Sequence, residues 1–172
     1  MIKQKREPLS SNPESMRDYI TWILLLQTRD ALLQAREKEL SQYGISAEQA
    51  WVLFTVQAIG HSPTLTEISR WIFRKPNTVF SLLERMERKG LVKKTKNSVR
   101  KNLVRVELTE KGQQAYYQAT KMKSIHKVMS CLSEEDRQQL NLYLSKLREK
   151  QLKKLGLECK PPFLESLAKR NN

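Results

Sequence analysis

A chain of 172 residues with 39% hydrophobic and 29% charged residues has the balance of a globular protein rather than of a disordered one, and is long enough for one ordinary domain or two small ones. Its five glycines disfavour a glycine-rich phosphate cradle and a turn-punctuated β-sandwich. Thirty-two Lys and Arg against eighteen Asp and Glu leave a net charge of +14, which points to a polyanionic partner such as nucleic acid or an anionic membrane surface.

Residues 1–14 are polar, include Pro8 and Pro13, and are expected to form a flexible arm. From Ser15 to about Ser41 the pattern is helical. Tyr19, Ile23, Leu26, Leu33 and Leu40 recur at spacings of three, four or seven, with no Gly or Pro between them. Trp22, Leu25 and Leu32 widen that stripe, so more than one surface must cover the helix. Gly44 stops it, and Ser46 is placed to cap a second helix through about Ile59, with Trp51, Val52, Phe54 and Val56 mostly inward.

Gly60 and Pro63 mark a turn, after which Thr66 is expected to cap a short helix from Glu67 to Phe73. Arg74 and Lys75 make a tight connection to a fourth helix, Pro76 to Lys89, which Pro76 opens and Gly90 ends. Its residues Val79, Leu82, Leu83 and Met86 define one buried face. The period then changes from helical to alternating. Residues 91–96 and 103–108 read as strands, and the loop 97–102 between them is too long for a tight turn and should project. Thr109 is expected to cap a helix running to about Leu132, with Gly112 tolerated in its first turn. Ser133 caps the last helix, whose apolar seam is Leu140, Tyr143, Leu144, Leu147 and Leu155. Residues 156–172 are set aside as a C-terminal tail.

The basic excess is uneven: residues 1–60 carry no net charge, residues 61–111 carry +8 and residues 112–172 carry +6. The middle segment therefore holds the electrostatic footprint, and it also holds the order helix, short turn, helix, hairpin. That order is a winged helix-turn-helix. A helix docked in the major groove needs one face to anchor it and one small polar face to read bases. Opposite the buried face of residues 76–89 stand Asn77, Thr78, Ser81, Arg85 and Arg88. Asn can pair bidentately with adenine and Arg with guanine, while Thr78 or Phe80 can touch a thymine methyl. Lys96, Arg100 and Lys101 sit in or beside the projecting loop, where basic side chains can lie along phosphates or enter the minor groove. With Thr66 and Lys75 at the two helix starts, the candidate DNA-binding residues are Thr66, Lys75, Asn77, Thr78, Phe80, Ser81, Arg85, Lys96, Arg100 and Lys101.

Other chemistries find little support. The apolar run from Tyr19 to Leu26 is far too short for a membrane span, which needs roughly 18 residues, so no membrane partner is expected. The basic N-terminus lacks an apolar stretch behind it, and Cys131 and Cys159 match neither a disulfide framework nor a zinc spacing. A cytoplasmic protein is expected, with Cys131 a small buried hydrophobe. His61 and His126 are single and far apart, so no metal site is assigned. No nucleophile–base pair or paired carboxylates stand out; neither an enzyme nor a cofactor is expected. Trp22, Trp51, Tyr116 and Tyr117 are read as core or interface packing.

The blocks Leu65-Thr66-Glu67-Ile68, Pro76-Asn77-Thr78-Val79, Leu82 to Met86, Glu87 to Val92 and Val106 to Gly112 follow one another at spacings without gaps. In that order the sequence resembles the multiple antibiotic resistance regulator (MarR) family of transcription factors. The likeness runs through residues 16–155 in element order and Leu65 to Gly112 in motifs. It implies a mainly α fold with a small β-hairpin wing: a MarR-type domain over 15–155. Within it lie a winged lobe over about 46–112, a helix-turn-helix motif over about 65–89, a wing at 91–108, and dimerisation helices at about 15–42 and 110–155. It further implies a homodimer, for which Tyr19, Ile23, Leu140, Leu144 and Leu147 are the interface candidates. Its partner would be a double-stranded, palindromic operator with half-sites about 10 base pairs apart, bound usually as a repressor whose DNA affinity is altered by a small-molecule effector or by oxidation. Two places depart from the family pattern. The wing has Arg100-Lys101-Asn102 with no acid ahead of the basic residues, and Phe73-Arg74 stands where a glycine-containing turn is common. The rival reading is a winged-helix architectural or interaction module that binds nucleic acid or protein without regulating a promoter.

Overall fold

The computed structural model of the chain describes residues 13–96 and 104–156. In chain order the elements are α1 (Pro13–Ser41), α2 (Ala47–Ile59), α3 (Leu65–Trp71), α4 (Pro76–Arg88), β1 (Val92–Lys96), β2 (Val104–Leu108), α5 (Glu110–Ala119), α6 (Lys123–Met129) and α7 (Glu134–Lys154). The fold is mainly α with a two-stranded antiparallel hairpin as its wing, in which Val92 pairs with Leu108 and Lys94 with Val106.

Local chemistry explains most boundaries. Ser46 caps α2, with the Ser46 hydroxyl accepting from the Gln49 amide and the Gln49 side chain accepting from the Ser46 amide. Gly60 and Gly90 close α2 and α4 with φ of 76° and 69°, a left-handed conformation in which glycine carries no Cβ penalty. Ser133 and Asp136 form the same reciprocal box at the start of α7. The third cap differs from the expected one. Thr64, not Thr66, caps α3: its hydroxyl accepts from the Glu67 amide and the Glu67 carboxylate accepts from the Thr64 amide. Thr66 lies one residue inside the helix, exposed.

The core gathers under the winged lobe. Leu40 from α1, Val52 and Leu53 from α2, Ile68 and Ile72 from α3 and its end, Val79, Leu82, Leu83 and Met86 from α4, and Val92 and Val106 from the hairpin are fully or almost fully buried. Thr55 of α2 is buried with them, and its hydroxyl meets no hydrogen-bond partner among the described residues. Replacing Thr55 with valine removes that unpaired hydroxyl at equal shape. The expected gain is about 1 kcal/mol in unfolding free energy, read as a higher urea midpoint; an unchanged or lower midpoint would mean that the hydroxyl is satisfied.

Four further expectations need correction. The helix beginning at Thr109 does not reach Leu132. It stops at Ala119, and a new helix starts at Lys123 after Met122 takes a left-handed φ of 47°. Gly112 is not merely tolerated, because a Cβ there would lie 1.9 Å from the Leu91 carbonyl oxygen. Cys131 is exposed rather than buried. Trp51 is 40% exposed rather than turned mostly inward.

Candidate nucleic-acid interface

Helix α4 is fixed from behind. Val79, Leu82, Leu83 and Met86 are each 2% exposed or less, whereas Asn77, Thr78, Phe80, Ser81, Arg85 and Arg88 are all exposed. This is the division that the helical period implied. At its C-terminal end Lys89 donates to the Gly44 carbonyl at 2.9 Å and to the Gln49 side chain at 3.3 Å, tying α4 to the loop before α2 and to α2 itself. At its N-terminal end Lys75 takes the cap position without a side-chain cap, and Pro76 occupies the first turn. Lys75 thus offers the first amides of α4 no side-chain acceptor, and the positive end of the helix dipole lies among the exposed residues Lys75 to Thr78.

The turn before α4 shows how a glycine-free sequence makes the bend. Phe73 adopts φ 52°, the left-handed conformation in which a glycine is cheapest. The Arg148 guanidinium of α7 lies 5.4 Å from the centre of its ring, and Arg74 bridges to Glu48 of α2 at 3.2 Å. The conformation is met despite the departure in sequence, at the cost of a strained residue held by its neighbours.

Side-chain geometry refines the individual candidates. The Ser81 hydroxyl donates to the Asn77 carbonyl at 3.1 Å, so its proton is already used within α4. Arg85 and Arg88 line an open cleft of about 660 Å³ between α4 and α2, shared with Glu37 and Glu48. Arg85 therefore stands on the α2 side of the exposed face of α4. On the opposite side, Phe80 is 47% exposed, and the Lys94 ammonium sits 5.3 Å from its ring centre. Lys94, Glu84 and Glu87 were not among the expected site residues. A strand-like run of lysines gives no sign that one of them turns inward.

The wing is anchored at its root. Val106 donates from its amide to the Pro63 carbonyl at 2.9 Å, and the Arg105 guanidinium to the Ser62 carbonyl at 2.6 Å. The Ser62 hydroxyl in turn donates to Glu107 at 2.7 Å, which also pairs with Lys93 at 2.9 Å. The Lys93 and Ser62 contacts hold the Glu107 carboxyl below its ordinary range. Lys96 ends β1. Arg100 and Lys101 lie outside the described residues.

Away from α4, the expected interface side chains are open to solvent in the single chain. Tyr19 and Trp22 of α1 are 54% and 55% exposed, and Leu144 and Leu147 of α7 are also exposed; Ile23 and Leu140 are half-buried. Among the described residues no cluster of His, Cys, Asp and Glu could hold a metal, and no helix is long and apolar enough to cross a membrane.

Comparison with known proteins accords with this geometry. Residues 49–101 match the model of the LexA DNA binding domain, a stretch that takes in most of α2 and all of α3, α4 and β1. No curated protein matches the sequence. The ligand-free structure of the organohalide-sensing transcriptional regulator RdhR is 26% identical, covers 88% of this chain and 89% of its own, and superposes with a TM-score of 0.75. A mutant of E. coli MarR complexed with operator DNA is 21% identical over 72% of this chain and 90% of its own, with a TM-score of 0.67. The S. aureus MepR–DNA complex is 24% identical over 74% and 94%, also at 0.67. The likeness read from the motif blocks is therefore borne out: the chain has the winged-helix fold of the MarR-type transcriptional regulators. Of these three, RdhR is described as a transcriptional regulator, and the MarR and MepR structures are complexes with DNA.

Proposed function

We propose that this chain is a sequence-specific, homodimeric transcriptional regulator, acting as a repressor on a palindromic operator in double-stranded DNA. One observation carries the reading. A 13-residue helix is locked by a fully buried apolar face, presents Asn77, Thr78, Ser81, Arg85 and Arg88 outward, and lies in the most basic segment of the chain. The uncapped N-terminus of α4 and Lys75 would take a phosphate. Asn77, Thr78 and Phe80 would meet base edges, Arg85 would reach them from the α2 side, and Thr66, Ser81, Lys96, Arg100 and Lys101 would complete the contact surface. The DNA-bound relatives E. coli MarR and S. aureus MepR support DNA as the partner.

Dimerisation accounts for the uncovered apolar side chains of α1 and α7. Tyr19, Ile23, Leu140, Leu144 and Leu147 would pack against a second copy, together with Trp22. A small-molecule effector has a place as well. A cavity of about 220 Å³, lined by Arg36, Trp51, Phe54, Tyr116, Met122 and Ile125 among others, lies where α1, α2, α5 and the start of α6 meet. The match to RdhR in its 2,4-dichlorophenol-bound form, at 26% identity and a TM-score of 0.74, supports an effector of some kind.

The test is a gel-shift titration with DNA from upstream of the gene against random DNA of equal length, at about 150 mM salt. Specific interfaces exceed non-specific binding by roughly 10³-fold or more under such conditions. Binding equal on both and fading with salt would reject promoter-specific regulation in favour of an architectural module. Within the same assay, Asn77→Ala or Arg85→Ala is expected to reduce discrimination by about 1–3 kcal/mol. Lys101→Ala should weaken all sequences alike. Equal losses on operator and random DNA for Asn77→Ala and Arg85→Ala would remove both from base reading.

A further inference from the structure

The flank of α4 nearest the wing is acidic. Glu84 lies two helical turns after Asn77, near the middle of the outward face, and Glu87 follows it by three residues towards β1. Two carboxylates beside a surface that must approach phosphates would repel the DNA. The fold disposes of both with a single side chain. The Lys94 ammonium bridges to Glu84 and, at 2.9 Å, to Glu87, while the Lys94 amide donates to the other oxygen of Glu87 at 2.9 Å. The Lys94 side chain is only 15% exposed, whereas Glu84 and Glu87 are 42% and 38% exposed. The same ammonium lies 5.3 Å from the centre of the Phe80 ring, within cation–π range.

We propose that Lys94 is a positioning residue of the DNA interface: it draws Glu84 and Glu87 back onto the wing, neutralises them, and holds the Phe80 ring towards the bases without itself touching DNA. The inference rests on the DNA-binding reading above. It also separates two kinds of basic residue in this segment. Exposed lysines and arginines supply charge to the DNA, while Lys94 spends its charge inside the protein to remove an obstacle.

The experiment measures binding of a fluorescein-labelled duplex of random sequence by anisotropy at about 50 mM salt, where the phosphate contribution is strong. Lys94→Met is expected to bind about tenfold more weakly, because two uncompensated carboxylates then face the phosphates. The triple variant Lys94→Met with Glu84→Gln and Glu87→Gln is expected to return to within about twofold of the wild type, since the repelling charges are gone. That recovery is what a merely structural role would not give, and thermal melts of each variant accompany the titrations. If Lys94→Met does not fold, Lys94→Gln takes its place in both backgrounds. Undiminished binding by the single variant, or weak binding that the triple variant fails to restore, overturns the proposal while leaving the DNA-binding reading standing. Absence of binding by the wild-type chain overturns both.

Discussion

Substituting Gly112 with alanine is expected to cost about 3 kcal/mol of folding stability, at the upper end of what overpacking exacts. The added Cβ would lie 1.9 Å from the Leu91 carbonyl oxygen and 2.9 Å from its carbonyl carbon, so the collision is with main chain and no rotamer relieves it. The main chain on both sides is held in place. The Leu91 carbonyl accepts the Thr109 amide at 3.2 Å, and the Leu91 amide donates to the Met86 carbonyl at 2.9 Å. The Thr109 hydroxyl accepts the Gly112 amide at 3.0 Å and donates to the Gly90 carbonyl at 2.5 Å. Lys111 adds a bond from its ammonium to the Lys89 carbonyl at 2.9 Å. Together these contacts join the end of α4, the start of the wing and the first turn of α5 in one knot. Urea unfolding followed by circular dichroism reads the loss, with Gln113→Ala in the same helix as the control. A Gly112→Ala midpoint matching that control would show that α5 does not approach Leu91 so closely. DNA affinity should fall with stability, because the knot sets the angle between α4 and the wing.

The same knot shows where the sequence is legible and where it is not. Thr109 as a cap follows from its type and place, and Gly90 from the end of an apolar period. The demand at Gly112 comes from a backbone twenty-one positions earlier, and no local pattern carries it. Thr64 is a different case. Thr64 with Glu67 three residues on has the capping-box spacing, which Thr66, with Ser69 three residues on, lacks. The break at 120–122 left no Gly or Pro to be read. What stops α5 there is α1, more than eighty residues away, whose Arg36 and Glu39 take the loose ends of two helices. The outward face of α4 was legible because helical period alone sorts buried from exposed residues. Lys94 was not, since its role depends on two carboxylates that only the docking of hairpin on helix brings within reach. Phe73 was legible as a departure from a glycine turn, and its φ of 52° shows that the backbone keeps the turn without the glycine.

Glu39 is the second residue whose replacement should be felt strongly, and acid is the way to show it. Its side chain is 7% exposed. Burial pushes the carboxyl upward, but hydrogen bonds from the Ser124 hydroxyl and amide, the Arg36 guanidinium and the Lys123 amide outweigh that and bring it from 4.5 to about 2. The Lys123 and Ser124 amides, at 2.9 and 3.0 Å, are orphan donors at the start of α6, which Met122 leaves without a cap of its own. Arg36 pairs with Glu39 at 2.8 Å and also donates to the Ala119 carbonyl at the end of α5. A depressed carboxyl stabilises the fold fully above its unfolded value and ceases to do so as pH falls through the folded one. The Glu39 contribution should therefore be intact above pH 4.5 and fade towards about pH 2. A shift of that size corresponds to about 3 kcal/mol. Wild-type unfolding free energy should accordingly drop faster across this window than that of Glu39→Gln, which loses the contribution at every pH. Parallel pH curves for the two proteins would mean that Glu39 is not held as a buried carboxylate. A steeper wild-type curve would identify this charge on α1 as the cap that starts α6, and hence as the reason the chain turns after Ala119 rather than continuing one long helix.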